Sequence, residues 1–175
     1  MSQPETPSAV EGDHLQEVVS RLAGALSHAS AGDLAALRRL DLTCPTAPAF
    51  WRFLPVGTTA TSGQARDEIE RRWATVMVVI ATLGPSHRPH ARLGRALQEA
   101  GFAEIRLTRL LRAAGDRLSD EIVSATRYLA AKGQHVDALD LARLVLITQP
   151  EKADSVRRDI ARHYFAVPTT ASSIA

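Results

Sequence analysis

Residues 63–83 read GQARDEIERRWATVMVVIATL, and the reading of this stretch decides the fold. Its first half is charged, and its second half is apolar on nearly every side. A surface helix shows a single apolar stripe, whereas a segment apolar all round belongs inside a bundle with other helices covering each face. The uncharged run from Trp73 to His87 has 15 residues and contains Gly84-Pro85. It falls short of the roughly 18–20 apolar residues that cross a bilayer. A central buried helix is therefore expected, with no membrane contact.

The flanking segments carry the apolar faces that such a centre needs. His14 to His28 places Leu15, Val18, Val19, Leu22 and Leu26 at three- and four-residue spacing, an amphipathic helix. Asp33 is placed to cap DLAALRRL (33–40), and Pro48 stands near the start of PAFWRFL (48–54). Beyond the Gly84-Pro85 and Pro89 loop come ARLGRALQEAG (91–101) and AEIRLTRLLRAAG (103–115). A helix capped by Ser119 and running to about Lys132, then ALDLARLVLI (138–147) and EKADSVRRDIARHYF (151–165), complete the series. Gly101, Gly115 and Gly133 each follow a helical pattern, where a left-handed C-cap requires glycine. There is no β-branched alternation and no Asn-Gly or Asp-Gly hairpin signal. The expectation is an all-α bundle of about nine helices. Residues 14–166 form one domain, residues 84–90 are the one place where two packed sub-bundles could meet, and 1–13 and 167–175 are loose ends.

Composition narrows the function. A chain of 175 residues buries a sufficient core without disulfides or metal. Cys44 is the only cysteine, which excludes an intrachain disulfide and a Cys-rich zinc site. With no basic start or apolar run in residues 1–13, no signal peptide is read, and the cytoplasm is the expected compartment. The formal charge is only +2, but it is unevenly placed. Residues 1–70 hold five basic and nine acidic side chains, a net of −4. Residues 71–112 hold eight arginines against Glu99 and Glu104, a net of +6, and residues 113–175 balance. Of 21 basic residues, all but Lys132 and Lys152 are Arg. A planar guanidinium binds phosphate oxygens bidentately and stays charged at any working pH.

In the helix 103–115, Arg106, Arg109 and Arg112 recur every third residue and form a slanting stripe, with Leu107, Leu110 and Leu111 opposite. Arg92 and Arg95 repeat the arrangement one helix earlier. Two readings stand: a phosphate-binding surface, or a solvated charged face. Arg71 and Arg72 fit the second, because Asp67 and Glu68 lie four residues before them. Arg158, four after Asp154, does likewise. The aromatic fraction of 5% offers no long stacking platform, so nucleic-acid binding would address the backbone and not the bases. Trp51 beside Arg52 reads first as a core anchor together with Phe50, Phe53 and Leu54. His87 and His90 form an H-x-x-H without a carboxylate or Cys near in sequence, and Cys44 has no local base. No phosphate loop, G-x-S-x-G or H-E-x-x-H occurs. Nothing asks for a catalytic residue, a metal or a cofactor.

The segments GDLAALRRLD, PAFWRFL, LGRALQEAGFAEIRLTRLLRA, DALDLARLVL and RRDIARHYF, in this order, resemble the CasB-type small subunit of the type I-E CRISPR Cascade complex. The resemblance runs from about residue 15 to 166. It implies an all-α, non-enzymatic subunit that works beside the other Cascade subunits and a guide RNA, with a second copy of itself. Such a subunit helps hold the guide RNA–target duplex and the displaced DNA strand, so that base pairing reads sequence and protein holds backbone. The basic contact residues it implies are Arg38 or Arg39, Arg52, Arg95, Arg106, Arg112 and Arg143. Arg109 joins them from the stripe alone. Asp140, three residues before Arg143, is a rival internal partner for it. The loop 55–66 matches poorly, leaving Arg66 as the one candidate there. A helical adaptor that binds only protein is the alternative function.

Overall fold

A computed structural model describes residues 7–55 and 63–166, with side chains from His14 onward. The helices are α1 (Pro7–Ser27), α2 (Ala31–Arg38), α3 (Pro48–Phe53), α4 (Gln64–Leu83), α5 (Leu93–Glu99), α6 (Glu104–Arg112), α7 (Gly115–Ala131), α8 (Ala138–Leu146) and α9 (Pro150–Phe165). No strand occurs among the described residues; one isolated parallel bridge joins His87 to Val136. The all-α expectation holds. The first helix starts at Pro7, ahead of the expected His14, so the second half of the segment expected to be loose is helical. Residues 1–6 and 167–175, and the loop residues 56–62, lie outside the described residues.

Helix α4 occupies the centre. From Trp73 to Leu83 every residue except Thr82 is buried, because α2, α7 and α8 pack against it from different sides. Its charged first half, Gln64 to Arg72, keeps partial or full exposure. The one polar residue on the buried half that is fully enclosed, Thr75, hydrogen-bonds to the Arg71 carbonyl at 3.1 Å and to Ser119 Oγ at 3.0 Å. A buried hydroxyl without such partners would cost about 1–3 kcal/mol. Ser119 therefore lies inside α7 and bonds across to α4, and does not cap a helix. α7 begins four residues earlier, at Gly115, whose φ of +55° only glycine adopts without strain.

The other helix ends follow local chemistry. Ser30, and not Asp33, caps α2: its Oγ accepts the Asp33 N–H at 3.0 Å and donates to Asp33 Oδ2 at 2.9 Å, a reciprocal cap. Gly101 and Gly133 end α5 and α7 in the left-handed region, as expected. In each case the glycine N–H and the next N–H return to carbonyls of the last turn, namely Gln98 and Leu97 for α5 and Ala130 and Leu129 for α7.

The Gly84–His90 connection is bound to the rest of the bundle. A short 3₁₀ turn, Gly84–Ser86, leads to backbone bonds from Val136 N–H to Ser86 O (3.1 Å), Arg88 N–H to Val136 O (3.1 Å) and Asp137 N–H to Ala91 O (2.8 Å). The Asp137 carboxylate caps α8 through the Leu139 N–H and accepts the His90 N–H at 2.8 Å. One contiguous core, from Val19 of α1 to Ile160 of α9, runs on both sides of this connection.

Candidate nucleic-acid interface

The stripe on α6 is present as sequence but divides in space. Leu107 and Leu110 face the core, which turns Arg109 and Arg112 outward and leaves Arg106 half-buried on the flank. Arg106 lies over the Phe102 ring at 4.4 Å and the Tyr128 ring at 4.9 Å. Arg109 donates from Nε and Nη2 to the two oxygens of Glu121 on α7, at 3.0 and 3.2 Å. Arg109 of the stripe thus has an acidic partner on another helix, which spacing within α6 does not show. Arg112 is exposed and has no ionic partner among the described residues.

The remaining candidates sort by the same criterion. Arg38 donates from Nε to the Ala81 carbonyl at 2.8 Å, closing the C-terminal turn of α4, so part of its donor set is structural. Arg39, its neighbour, is exposed with no ionic partner among the described residues. Arg52 places Nη1 on both oxygens of Asp33 at 2.8 Å, and Arg95 bonds Glu99 at 2.7 Å. Asp140 stands between two arginines: Arg143 at 3.8 Å and Arg92 at 3.9 Å, while its other oxygen accepts the Leu93 N–H at 3.0 Å. The internal partner anticipated for Arg143 is therefore there. Arg72 pairs with Glu68 as expected. Asp154 pairs with Arg157 at 3.5 Å, and not with Arg158.

Sequence reasoning passed over other exposed cations. Arg88, Arg117 and Arg127 are exposed without an ionic partner among the described residues, as is Arg158, which spacing set against Asp154. Arg117 and Arg127 were hidden because their segment balances to zero charge overall. Lys132, at the α7 C-cap, lies over the Tyr128 ring at 5.8 Å. The other polar motifs are structural: His87 Nδ1 accepts the Ala138 N–H at 3.2 Å, and His90 adopts φ +66° to fit the turn. No group of three or more metal-ligating side chains occurs among the described residues. Trp51 is half exposed, with its edge against the fully buried Phe50.

The family model of CRISPR-associated protein Cse2 (CRISPR_cse2) matches residues 33–165, which is most of the chain. The chain belongs to the Cse2 family. The resemblance to a CasB-type small subunit is thereby borne out. Among solved structures, the crystal structure of CasB from Thermobifida fusca superposes with a TM-score of 0.64 at 16% identity, covering 89% of this chain and 97% of that one. At that identity the superposition speaks for the fold. No curated protein matches the chain.

As a Cse2 protein the chain is a subunit of the Cascade interference complex and associates with its other subunits. Cse2 is a structural subunit family. Among the described residues no helix is long and apolar enough to cross a membrane. The candidate arginines of this Cse2 chain divide into those with an acidic partner, namely Arg52, Arg95, Arg109 and Arg143, and those without one among the described residues, which include Arg39 and Arg112.

Proposed function

We propose that this Cse2 subunit holds nucleic-acid backbone in Cascade, stabilising the guide RNA–target duplex and the displaced DNA strand without reading sequence and without catalysis. A second copy of the chain works beside it. One observation carries the reading: Arg39 and Arg112, both candidates from the sequence, are exposed and have no ionic partner among the described residues, whereas Arg52, Arg95, Arg109 and Arg143 each have one. A guanidinium with no carboxylate beside it attracts phosphate at full strength, whereas a paired one must first give up its partner. Trp51 is the one strongly exposed tryptophan, so base stacking contributes little beside backbone contact.

The test is the salt dependence of binding. Each phosphate contact adds about 0.9 to the negative slope of log affinity against log salt for duplex DNA, and about 0.7 for a single strand. Replacing Arg39 and Arg112 together with Ala is expected to weaken binding evenly across sequences and to flatten that slope. The measurement uses the isolated chain and the complex assembled with a guide RNA. Parent-like affinity and slope for the double variant in both settings overturn the assignment.

A protein-only adaptor is the second reading, favoured by Ile105 at 72% exposure and Phe165 at 58%. Large exposed apolar side chains suit protein contacts. An adaptor leaves the mobility of bare DNA and RNA unchanged at low salt, and leaves the grip of the assembled complex unchanged in the double variant.

A further inference from the structure

Arg106 is held by aromatic rings, where Arg52, Arg95 and Arg109 are held by carboxylates. A cation–π contact, unlike a carboxylate, does not neutralise a guanidinium, so its charge and N–H donors stay available to another group. The rings themselves are fixed. Phe102 is buried at the C-cap of α5 and meets Tyr128 edge to face at 5.3 Å. The Tyr128 hydroxyl donates toward the Ala100 and Gly101 carbonyls at 2.9 and 3.2 Å, closing the same cap. The Tyr164 hydroxyl donates to the Phe102 carbonyl from the other side. A second cation, Lys132, lies against the same Tyr128 ring. The acid closest in sequence to Arg106, Glu104, acts on Tyr164, and neither Arg106 nor Lys132 forms an ion pair among the described residues.

We infer that Phe102 and Tyr128 are positioning residues, which hold Arg106 and Lys132 as a two-cation seat for successive phosphates at the corner of α5, α6 and α7. This rests on the nucleic-acid reading above. Both cations lie at one aromatic ring, so a phosphate backbone passing this corner meets two positive charges, and a ring that fixes a guanidinium reduces the entropy lost in finding its pose. Lys132 enters as a contact residue, and the aromatic pair acts through the cations without touching the ligand.

The experiment titrates the full-length chain, by fluorescence anisotropy over a range of salt, with a labelled DNA duplex and with one of its strands. Lys132→Ala is expected to flatten the salt slope by about 0.9 on the duplex or about 0.7 on the strand. Tyr128→Leu is expected to weaken binding about two- to fivefold, the size of an exposed cation–π contact. Tyr128→Phe keeps the ring, loses the carbonyl bonds and is expected to bind like the parent. The Tyr128→Leu effect is expected to vanish in an Arg106→Ala, Lys132→Ala background, which a merely structural role would not produce. Should Tyr128→Leu fail to fold, Arg106→Lys takes its place, since it keeps the charge but not the planar stack: weaker binding supports the seat, and parent-like binding overturns it. Parent-like binding by Lys132→Ala and Tyr128→Leu, alongside weakened binding by the Arg39, Arg112 variant, overturns the seat and leaves the nucleic-acid reading standing. Equal losses in Tyr128→Phe and Tyr128→Leu also overturn it. Absence of binding by the parent, both alone and in the complex assembled with a guide RNA, overturns both.

Discussion

A guanidinium offers one positive charge and five donors, and whether these face inward or outward decides what an arginine does. Arg52, with Asp33 bidentate on it, keeps its charge largely compensated, while Arg112 does not. Arg52→Ala is therefore expected to change nucleic-acid affinity and its salt slope less than Arg112→Ala does, measured side by side on one duplex; a larger effect at Arg52 would refute this ranking. Only part of the ranking was legible beforehand. Pairs four residues apart on one helix, such as Arg72 with Glu68, follow from spacing. Asp33 with Arg52 and Glu121 with Arg109 join different helices across 19 and 12 residues, and no local pattern announces them. Tyr164 gives a second residue-scale prediction. Desolvation by its partial burial, and then the negative charge of Glu104, raise its pKa above the ordinary 10.0, because both disfavour the phenolate. The folded state thus holds the proton more tightly than the unfolded chain. Its contribution is complete below the unfolded pKa and is lost as pH rises through the folded one. Spectrophotometric titration is expected to show Tyr164 ionising above the ordinary tyrosine range, a step that Tyr164→Phe abolishes.

At the scale of elements, glycines show what each helix requires of its neighbours. Gly94 of α5 lies against α9, where a Cβ would stand 2.1 Å from the Ile160 carbonyl oxygen and 2.8 Å from the Tyr164 nitrogen. Both obstacles are backbone, so the helices must part to admit it. Gly101 has open space but φ +72°, so a side chain there costs about 1–2 kcal/mol of left-handed strain. Gly24 lies within α1 with neither obstacle, and Ala there gains about 0.5–1 kcal/mol of helix propensity. Urea unfolding is expected to rank Gly94→Ala lowest, with a loss of about 3 kcal/mol or more from overpacking, then Gly101→Ala, with Gly24→Ala above the parent. Any other order contradicts the α5–α9 packing. The helices themselves were legible from periodicity, and Gly101 and Gly133 from their place after an apolar pattern. The start of α7 was not, because Ser119 has the chemistry of a cap while its hydroxyl is engaged by Thr75 of α4. Likewise Gly94 inside LGRAL reads as a weak helix residue until α9 is laid across it.

For the molecule as a whole, the question is whether the two halves joined at residues 84–90 unfold apart. Sequence offers Gly84, Pro85 and Pro89 as a break, since glycine and proline interrupt helices whatever follows them. The tertiary structure ties that break down: Ser86 and Arg88 pair with Val136, and Asp137 holds both the start of α8 and the His90 amide. Helix α4, before the connection, packs on α7 and α8 after it, and the core crosses without interruption. Cooperative units follow packing more than chain order, so one thermal transition is expected, with calorimetric and van't Hoff enthalpies equal. Asp137→Ala sharpens the test. It removes the α8 cap and frees the His90 amide, at a cost of about 1–2 kcal/mol for the cap. In a domain of this size each kcal/mol lowers Tm by about 2–4 °C. If the connection only joins two independent sub-bundles, the variant will show two transitions, or one early partial melt on the side of α8. If α4 unites them, the single transition will move down by a few degrees with its shape intact, because α8 cannot loosen without uncovering the buried half of α4.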